Sequence, residues 1–213
     1  MRELDDRWYG YGNGVIVEVD GGPRPVFEYS SPEGTCGPDD PVLFKSSTVV
    51  GGRLYATTQT EVVVLTWPDL TPVAHISDPV FNDVHHAIPG DPTPDGRETV
   101  LVAVSGQDAV AWITFDGELL DLWSVTDDRT PPAIDRERDY RIDTDLKPHA
   151  IHPNYLFRLP GAAAASSVGP DGTGGEVWVT RFETRDAVSL HDPDRRIGID
   201  RERCHDGVVH DGR

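Results

Sequence analysis

Three stretches of the chain share one pattern, and this repetition narrows the available folds more than any other feature. They are RLYATTQTEVVVLTWPDL (Arg53 to Leu70), TVLVAVSGQDAVAWITFDG (Thr99 to Gly117) and EVWVTRFETRDAVSLHDPD (Glu176 to Asp194). Each reads as a strand, a short polar turn, a second strand and a turn. A polar cluster leads into each one: KSSTVV (Lys45 to Val50), VHHAIP (Val84 to Pro89) and PHAIHP (Pro148 to Pro153). A further cluster, HDGVVHDGR, spans His205 to Arg213. Units of four short strands, repeated along a chain, predict an all-β fold: a β-propeller of four-stranded antiparallel blades.

Three blades are expected to be complete, over roughly 45–77, 82–125 and 146–199, with partial blades at both ends. Closed propellers have about 4–8 blades. Residues 1–213 are therefore expected to be a single, incomplete propeller domain, either the front portion of a larger ring or a ring completed by a second copy. Val15 to Val19 and Val26 to Tyr29, on either side of Asp20-Gly21-Gly22, read as the outer pair of a blade whose inner strands come from elsewhere. In the first full blade, strands are expected near 48–50, 53–58, 61–67 and 72–77. In the second, Val100 to Val104, Ala109 to Thr114 and Leu119 to Val125 carry the strand pattern. Two segments read as loop insertions: the charged 126–147 and the small-residue-rich 161–175. No long helical period is present, and the 21 glycines and 18 prolines suit turns.

The formal charge is −18, from 37 acidic and 19 basic residues, of which only two are lysine. So acidic a surface repels nucleic acid and anionic lipid, which argues against both as partners. Salt screens such self-repulsion, and the Asp-rich, Lys-poor composition resembles that of proteins from salt-loving organisms, haloarchaea in particular. Cys36 and Cys204 lie far apart and form neither a disulfide framework nor a thiolate zinc motif. The first residues, MRELDDRWYGYG, lack a basic head and an apolar run, and no segment reaches membrane-spanning length, so a cytoplasmic location is expected.

Six of the eight histidines fall in the lead-ins: His85, His86, His149, His152, His205 and His210. In a propeller the innermost strand of each blade lines the central channel, so polar residues at successive lead-ins converge on one axial point. Converging imidazoles and carboxylates make either a metal site or an acid–base site. Matching His86-Ala87-Ile88 to His149-Ala150-Ile151 aligns those two lead-ins; the last can be set with His205 under His149, the alignment preferred here, or with His210 under His152, and a one-residue slip would turn each side chain to the opposite face. Both lysines, Lys45 and Lys147, also sit in lead-ins, and Arg181 and Arg185 flank a turn expected on the same side. With His152, these groups are the candidate substrate-binding set, suited to a carboxylate or phosphate ligand.

No GxSxG, Walker, HExxH or EF-hand pattern is present, and Asp91 to Gly96 lacks the spaced acids of a calcium loop. Phe81-Asn82-Asp83 followed by Pro94-Asp95-Gly96-Arg97, and His205-Asp206-Gly207-Val208-Val209 followed by Asp211-Gly212, resemble the SMP-30/gluconolactonase and NHL-type (YVTN-like) six-bladed propellers. The resemblance implies a divalent ion in the channel, commonly calcium, and the opening of lactones or related esters. It makes Asn82 and Asp206 metal ligands and Asp83 a substrate-side group. The family's further asparagine ligand falls where this chain has His149, and a histidine-richer set suits zinc, iron or manganese better than calcium.

The sequence thus favours a metal-dependent lactone or ester hydrolase at the channel mouth. Asn82, His86, His149 and Asp206 would hold the metal, and Asp83 and His205 would move protons. Two alternatives remain open. One is a non-catalytic propeller binding a small molecule or a protein partner. The other is a transferase resembling arylsulfotransferases, with a channel histidine acting on an anionic donor held by Lys45, Lys147 and Arg181.

Overall fold

The computed structural model describes residues 2–4, 7–9, 14–37, 42–130, 134–142, 150–160 and 168–199. Its described residues are nearly all β, with one short 3-10 turn at Ser105–Gln107. Three four-stranded antiparallel meanders follow one another along the chain. The first comprises β5 (Ser46–Val50), β6 (Arg53–Thr57), β7 (Val62–Thr66) and β8 (Pro72–Ile76). The second comprises β9 (Val84–Pro89), β10 (Thr99–Val104), β11 (Ala109–Thr114) and β12 (Leu119–Ser124). The third comprises β13 (Pro153–Leu159), β14 (Glu176–Arg181), β15 (Asp186–Ser189) and β16 (Arg196–Gly198). These are propeller blades, with the first strand of each lying beside the first strand of the next: β9 contacts both β5 and β13.

The turns follow from local chemistry. Gly51 and Gly52, with φ of 59° and 72°, supply the left-handed pair that a two-residue hairpin between β5 and β6 demands. The blades then pack face to face because their central strands are apolar on both sides. Along β10, Val100, Val102 and Val104 join the core shared with the first blade, where Val62, Val64 and Phe81 lie. Leu101 and Ala103 join the core shared with the third, with Leu156, Val177 and Val179. Burial on both faces explains the uninterrupted run TVLVAV, which a half-exposed strand would break with polar residues.

Four shorter strands precede the blades. They are β1 (Arg2–Leu4) with β2 (Arg7–Tyr9), and β3 (Gly14–Glu18) with β4 (Arg24–Tyr29), each pair a two-stranded sheet. Ile16, Phe27 and Tyr29 of the second pair pack on Leu54, Val63 and Leu65 of the first blade. Beyond the second blade, 134–142 folds back onto the chain that precedes β9. Tyr140 N–H donates to Pro79 O at 2.8 Å, Arg141 Nη1 donates to Ser77 Oγ at 3.1 Å, and Ile134 packs against the core between the first two blades. No helix among the described residues is long and apolar enough to cross a membrane.

Two buried acids tether neighbouring segments to the blades. Glu61, just before β7, accepts from Tyr29 Oη at 3.0 Å and from Thr35 Oγ1 at 2.7 Å, fixing the chain that leads into the first blade. Asp108, the corresponding residue before β11, accepts backbone N–H groups from Ala150 (2.8 Å), Ile151 (3.1 Å) and His152 (2.7 Å). The approach to the third blade is therefore held by a carboxylate of the second.

Candidate functional site

The register of the blades fixes which lead-in residues are equivalent, and it differs from the sequence expectation. In the second blade Val84 pairs with Val104 and His86 with Ala103, with a bulge between them at His85. In the third, Pro153 pairs with Arg181 and Leu156 with Val179, again across a register shift. The backbone bonds before the strands match as well. Asp83 O accepts from Ser105 N–H and His152 O from Phe182 N–H, at 3.2 and 3.1 Å. Asn82 O accepts from Gly106 N–H and Ile151 O from Glu183 N–H, at 3.0 and 3.1 Å. Asp83 and His152 are thus equivalent, and Lys45, immediately before the Ser46–Thr57 pair, takes the same place in the first blade. The position equivalent to His86 is Tyr155, so the alignment of His86 with His149 is corrected. VHHAIP is itself the inner strand of its blade, whereas PHAIHP precedes the inner strand of the next.

These three equivalent residues converge. Lys45 Nζ forms an ion pair with the Asp83 carboxylate, which is itself 4% exposed. Asp83, His85 and His152 each present a ligand-type atom, all within 4.8 Å of one another. The His85 and His152 rings meet edge to face at 4.7 Å, and His152 leans on Phe182 at 5.2 Å. His85 Nδ1–H donates to Asp83 O at 2.9 Å, which fixes the tautomer and leaves Nε2 as the basic nitrogen. Burial, reinforced by the Lys45 ammonium, pushes the His85 pKa down to about 4 against the opposing pull of Asp83, so the ring is neutral at pH 7. An anchored Nδ1 with a basic Nε2 is the arrangement found in metal-ligating and proton-accepting histidines.

Other expected site residues are used elsewhere. His86 is 1% exposed and has both nitrogens engaged. Leu156 N–H donates to Nδ1 at 3.1 Å, so Nε2 carries the proton and bonds Thr48 Oγ1 at 2.6 Å. Its ring stacks on Tyr155 at 3.8 Å, and burial lowers its pKa to about 3. His86 is a core histidine, and the expectation that it ligates a metal is corrected on that ground. Arg181, fully buried, spends its guanidinium on Asp186, Asp127 and Val125 O, which corrects its expected role in holding substrate. Asn82 is fully buried and its amide nitrogen donates to Tyr140 O at 2.7 Å, tying the 134–142 segment to the approach to β9. Arg185 is exposed on the β14–β15 turn with φ of 58°. Lys147, His149, His205 and Asp206 lie outside the described residues.

His85 joins the candidate cluster although its neighbour His86 offers the better repeat match in the sequence. The usable signal was spacing: Asp83 and His85 are two apart and sit ahead of an apolar run.

Among solved structures, the chain is similar to a protein of unknown function from Bacteroides caccae (16% identity, TM-score 0.47, covering 95% of this chain and 59% of that one). It is also similar to virginiamycin B lyase from Staphylococcus aureus, at 14% identity and a TM-score of 0.40, over 84% of this chain and 52% of that one. A third is the Pan2 WD40 domain of Neurospora crassa, at 11% identity and a TM-score of 0.34, over 82% and 68% of the two chains. The chain therefore spans between half and two thirds of the length of the first two. No family model matches it, and no curated protein matches its sequence.

Proposed function

We propose that the protein is a metal-dependent hydrolase of lactones or related esters, with Asp83, His85 and His152 as its metal-binding set. The convergence of these three side chains at the start of successive inner strands carries the reading. Two imidazoles and one carboxylate suit zinc, iron or manganese, whereas calcium takes oxygen ligands throughout. A metal bound there would polarise an ester carbonyl and lower the pKa of a bound water.

The protein's own groups supply the rest. His85 is held neutral, the form needed to ligate or to accept a proton. Asp108 fixes the backbone at His152 through three N–H groups and so sets where that imidazole stands. Lys45 neutralises Asp83, so a metal and the Lys45 ammonium are alternative partners for that carboxylate. Once displaced, the ammonium is a cation at the rim for an anionic substrate.

The test is metal titration of the chelator-stripped protein with zinc and manganese, followed by a lactone and ester panel. About one equivalent bound by the wild type, and lost in both Asp83→Asn and His152→Ala, is the expected result. Folded protein that takes up no metal would end the hydrolase reading and leave a non-catalytic binding propeller.

A further inference from the structure

His85 stands at an irregular point of its strand. Val84 and His86 pair with adjacent residues of β10, Val104 and Ala103, so His85 is the extra residue of a bulge. The ladder with β10 therefore does not set its direction, and other bonds must. One is its own Nδ1–H to Asp83 O at 2.9 Å. The others come from the first blade and hold the His85 carbonyl. Ser46 Oγ of β5 donates to His85 O, and Thr57 Oγ1 of β6 lies 3.1 Å from the same oxygen. Thr57 Oγ1 is also 3.1 Å from Ser46 Oγ. Its single proton goes to the carbonyl or to the serine, and either choice braces the carbonyl.

The fold itself does not require a hydroxyl at Thr57. In the second blade the residue in the same place is Val104, which pairs with Val84 as Thr57 pairs with Ser46. Both Thr57 and Val104 are fully buried, and a buried hydroxyl is costlier than a methyl group unless it is bonded. The arrangement also recurs where the second blade meets the third. Ser105, fully buried just past β10, donates through Oγ to Pro153 O, the carbonyl that follows His152. At both lead-ins that carry a site imidazole, a hydroxyl of the preceding blade thus holds the backbone at the imidazole or one residue beyond it.

We infer that Ser46 and Thr57 are positioning residues of the site: by fixing the carbonyl of the bulged His85, they hold its imidazole against His152 and beside Asp83. The inference rests on the reading of Asp83, His85 and His152 as one site, and it adds two residues that act only through His85.

NMR of the metal-free protein is the first test, and zinc affinity the second. In the wild type the His85 and His152 rings, 4.7 Å apart, should give ring-to-ring NOEs, and these should vanish in Ser46→Ala/Thr57→Val. Thr57→Ser keeps the hydroxyl and should behave as the wild type. Zinc affinity of the double variant should fall by about 10–100-fold, the usual effect of removing the groups that orient a metal ligand. The same substitutions made in His85→Ala should lower it no further, because they act through that ring. If the double variant does not fold, Thr57→Val alone decides, since Val104 shows that valine fits this position. Ring NOEs unchanged in the folded variant would overturn the inference, as would their absence from the wild type or an equal loss of affinity in the His85→Ala background. A wild type that shows the NOEs but takes up no zinc would end the metal reading instead, with the positioning role decided by the NOEs.

Discussion

Asp83 and His152 occupy the same position in consecutive blades: each is the left-handed residue ahead of the inner strand, with φ of 53° and 58°. Each offers its carbonyl to the first N–H after the second strand of its own blade, Ser105 for one and Phe182 for the other. A non-glycine residue in this region is uncommon and persists where the surroundings fix it. Here the paired bonds fix it twice, and the outcome is that side chains from separate blades meet at one place.

Replacing Lys45 should expose what the ammonium does to its neighbours. In Lys45→Met the charge beside His85 is gone, so the His85 pKa should rise from about 4, since Lys45 is the second-largest cause of its depression after burial. The same variant should bind zinc more tightly than the wild type, because Asp83 no longer has a resident cation. Imidazole titration by NMR reads the first effect and metal competition the second. An unmoved His85 titration would mean the ion pair does not reach that ring.

The blades were legible because their physics is local. Apolar runs such as TVLVAV mark strands buried on both faces, and Gly51-Gly52 and Asp116-Gly117 mark the hairpins between strands. The first blade's observed strands fall within a residue or two of expectation throughout. The site was only partly legible, because the repeat is conformational rather than chemical. Lys45, Asp83 and His152 are a cation, an anion and an imidazole, and no residue identity relates them. The tripeptide His-Ala-Ile, at 86–88 and 149–151, offered a chemical match instead, and it joined positions six residues out of step, because 86–88 lie within the inner strand β9 whereas 149–151 come before β13. Lys45 and His152 are candidates by their position in the lead-ins, and both lie beside Asp83 in the fold.

Asp108 should prove worth more than a typical surface acid. Its carboxylate satisfies three backbone donors, and in Asp108→Ala the N–H groups of Ala150, Ile151 and His152 lose their acceptor together. Stability should fall by about 2–4 kcal/mol in urea unfolding, given ~1–3 kcal/mol per buried unsatisfied group with partial rescue by water. Asp108→Asn keeps an acceptor oxygen and should fall between the two. Because the His152 ring moves with this backbone, metal affinity should drop in the same order. A loss of stability without any loss of affinity would separate the tether from the site.

Arg181 should behave as a structural cation. It is paired with Asp186 and Asp127 and donates to Val125 O, joining the third blade to the end of the second. Arg181→Met leaves Asp186 with only Thr184 Oγ1 and the longer Arg196 contact at 3.6 Å, so the cost should fall at or below the low end of the ~3–5 kcal/mol seen when a buried pair is broken. The double variant Arg181→Met/Asp186→Leu should recover much of that loss, as removal of both charges usually does. Metal uptake by the folded single variant should equal that of the wild type. A selective loss of ligand binding would instead restore Arg181 to the site.

Acid should unfold the protein by way of its buried histidines. Burial depresses both groups, to about 4 for His85 and about 3 for His86, from an ordinary value near 6.5. The unfolded chain therefore binds protons that the folded chain refuses as pH drops below about 6.5. The stability these neutral rings contribute is complete above that value and is lost progressively as pH falls toward 4 and then 3. At ~1.4 kcal/mol per pH unit of displacement, the two histidines together account for several kcal/mol of acid sensitivity. Urea midpoints measured from pH 7 to pH 4 should decline accordingly. His86→Gln retains amide groups for Thr48 and the Leu156 N–H while removing the titration, so it should be less stable at pH 7 yet show a shallower decline. Parallel curves for variant and wild type would place the acid sensitivity in the carboxylates instead.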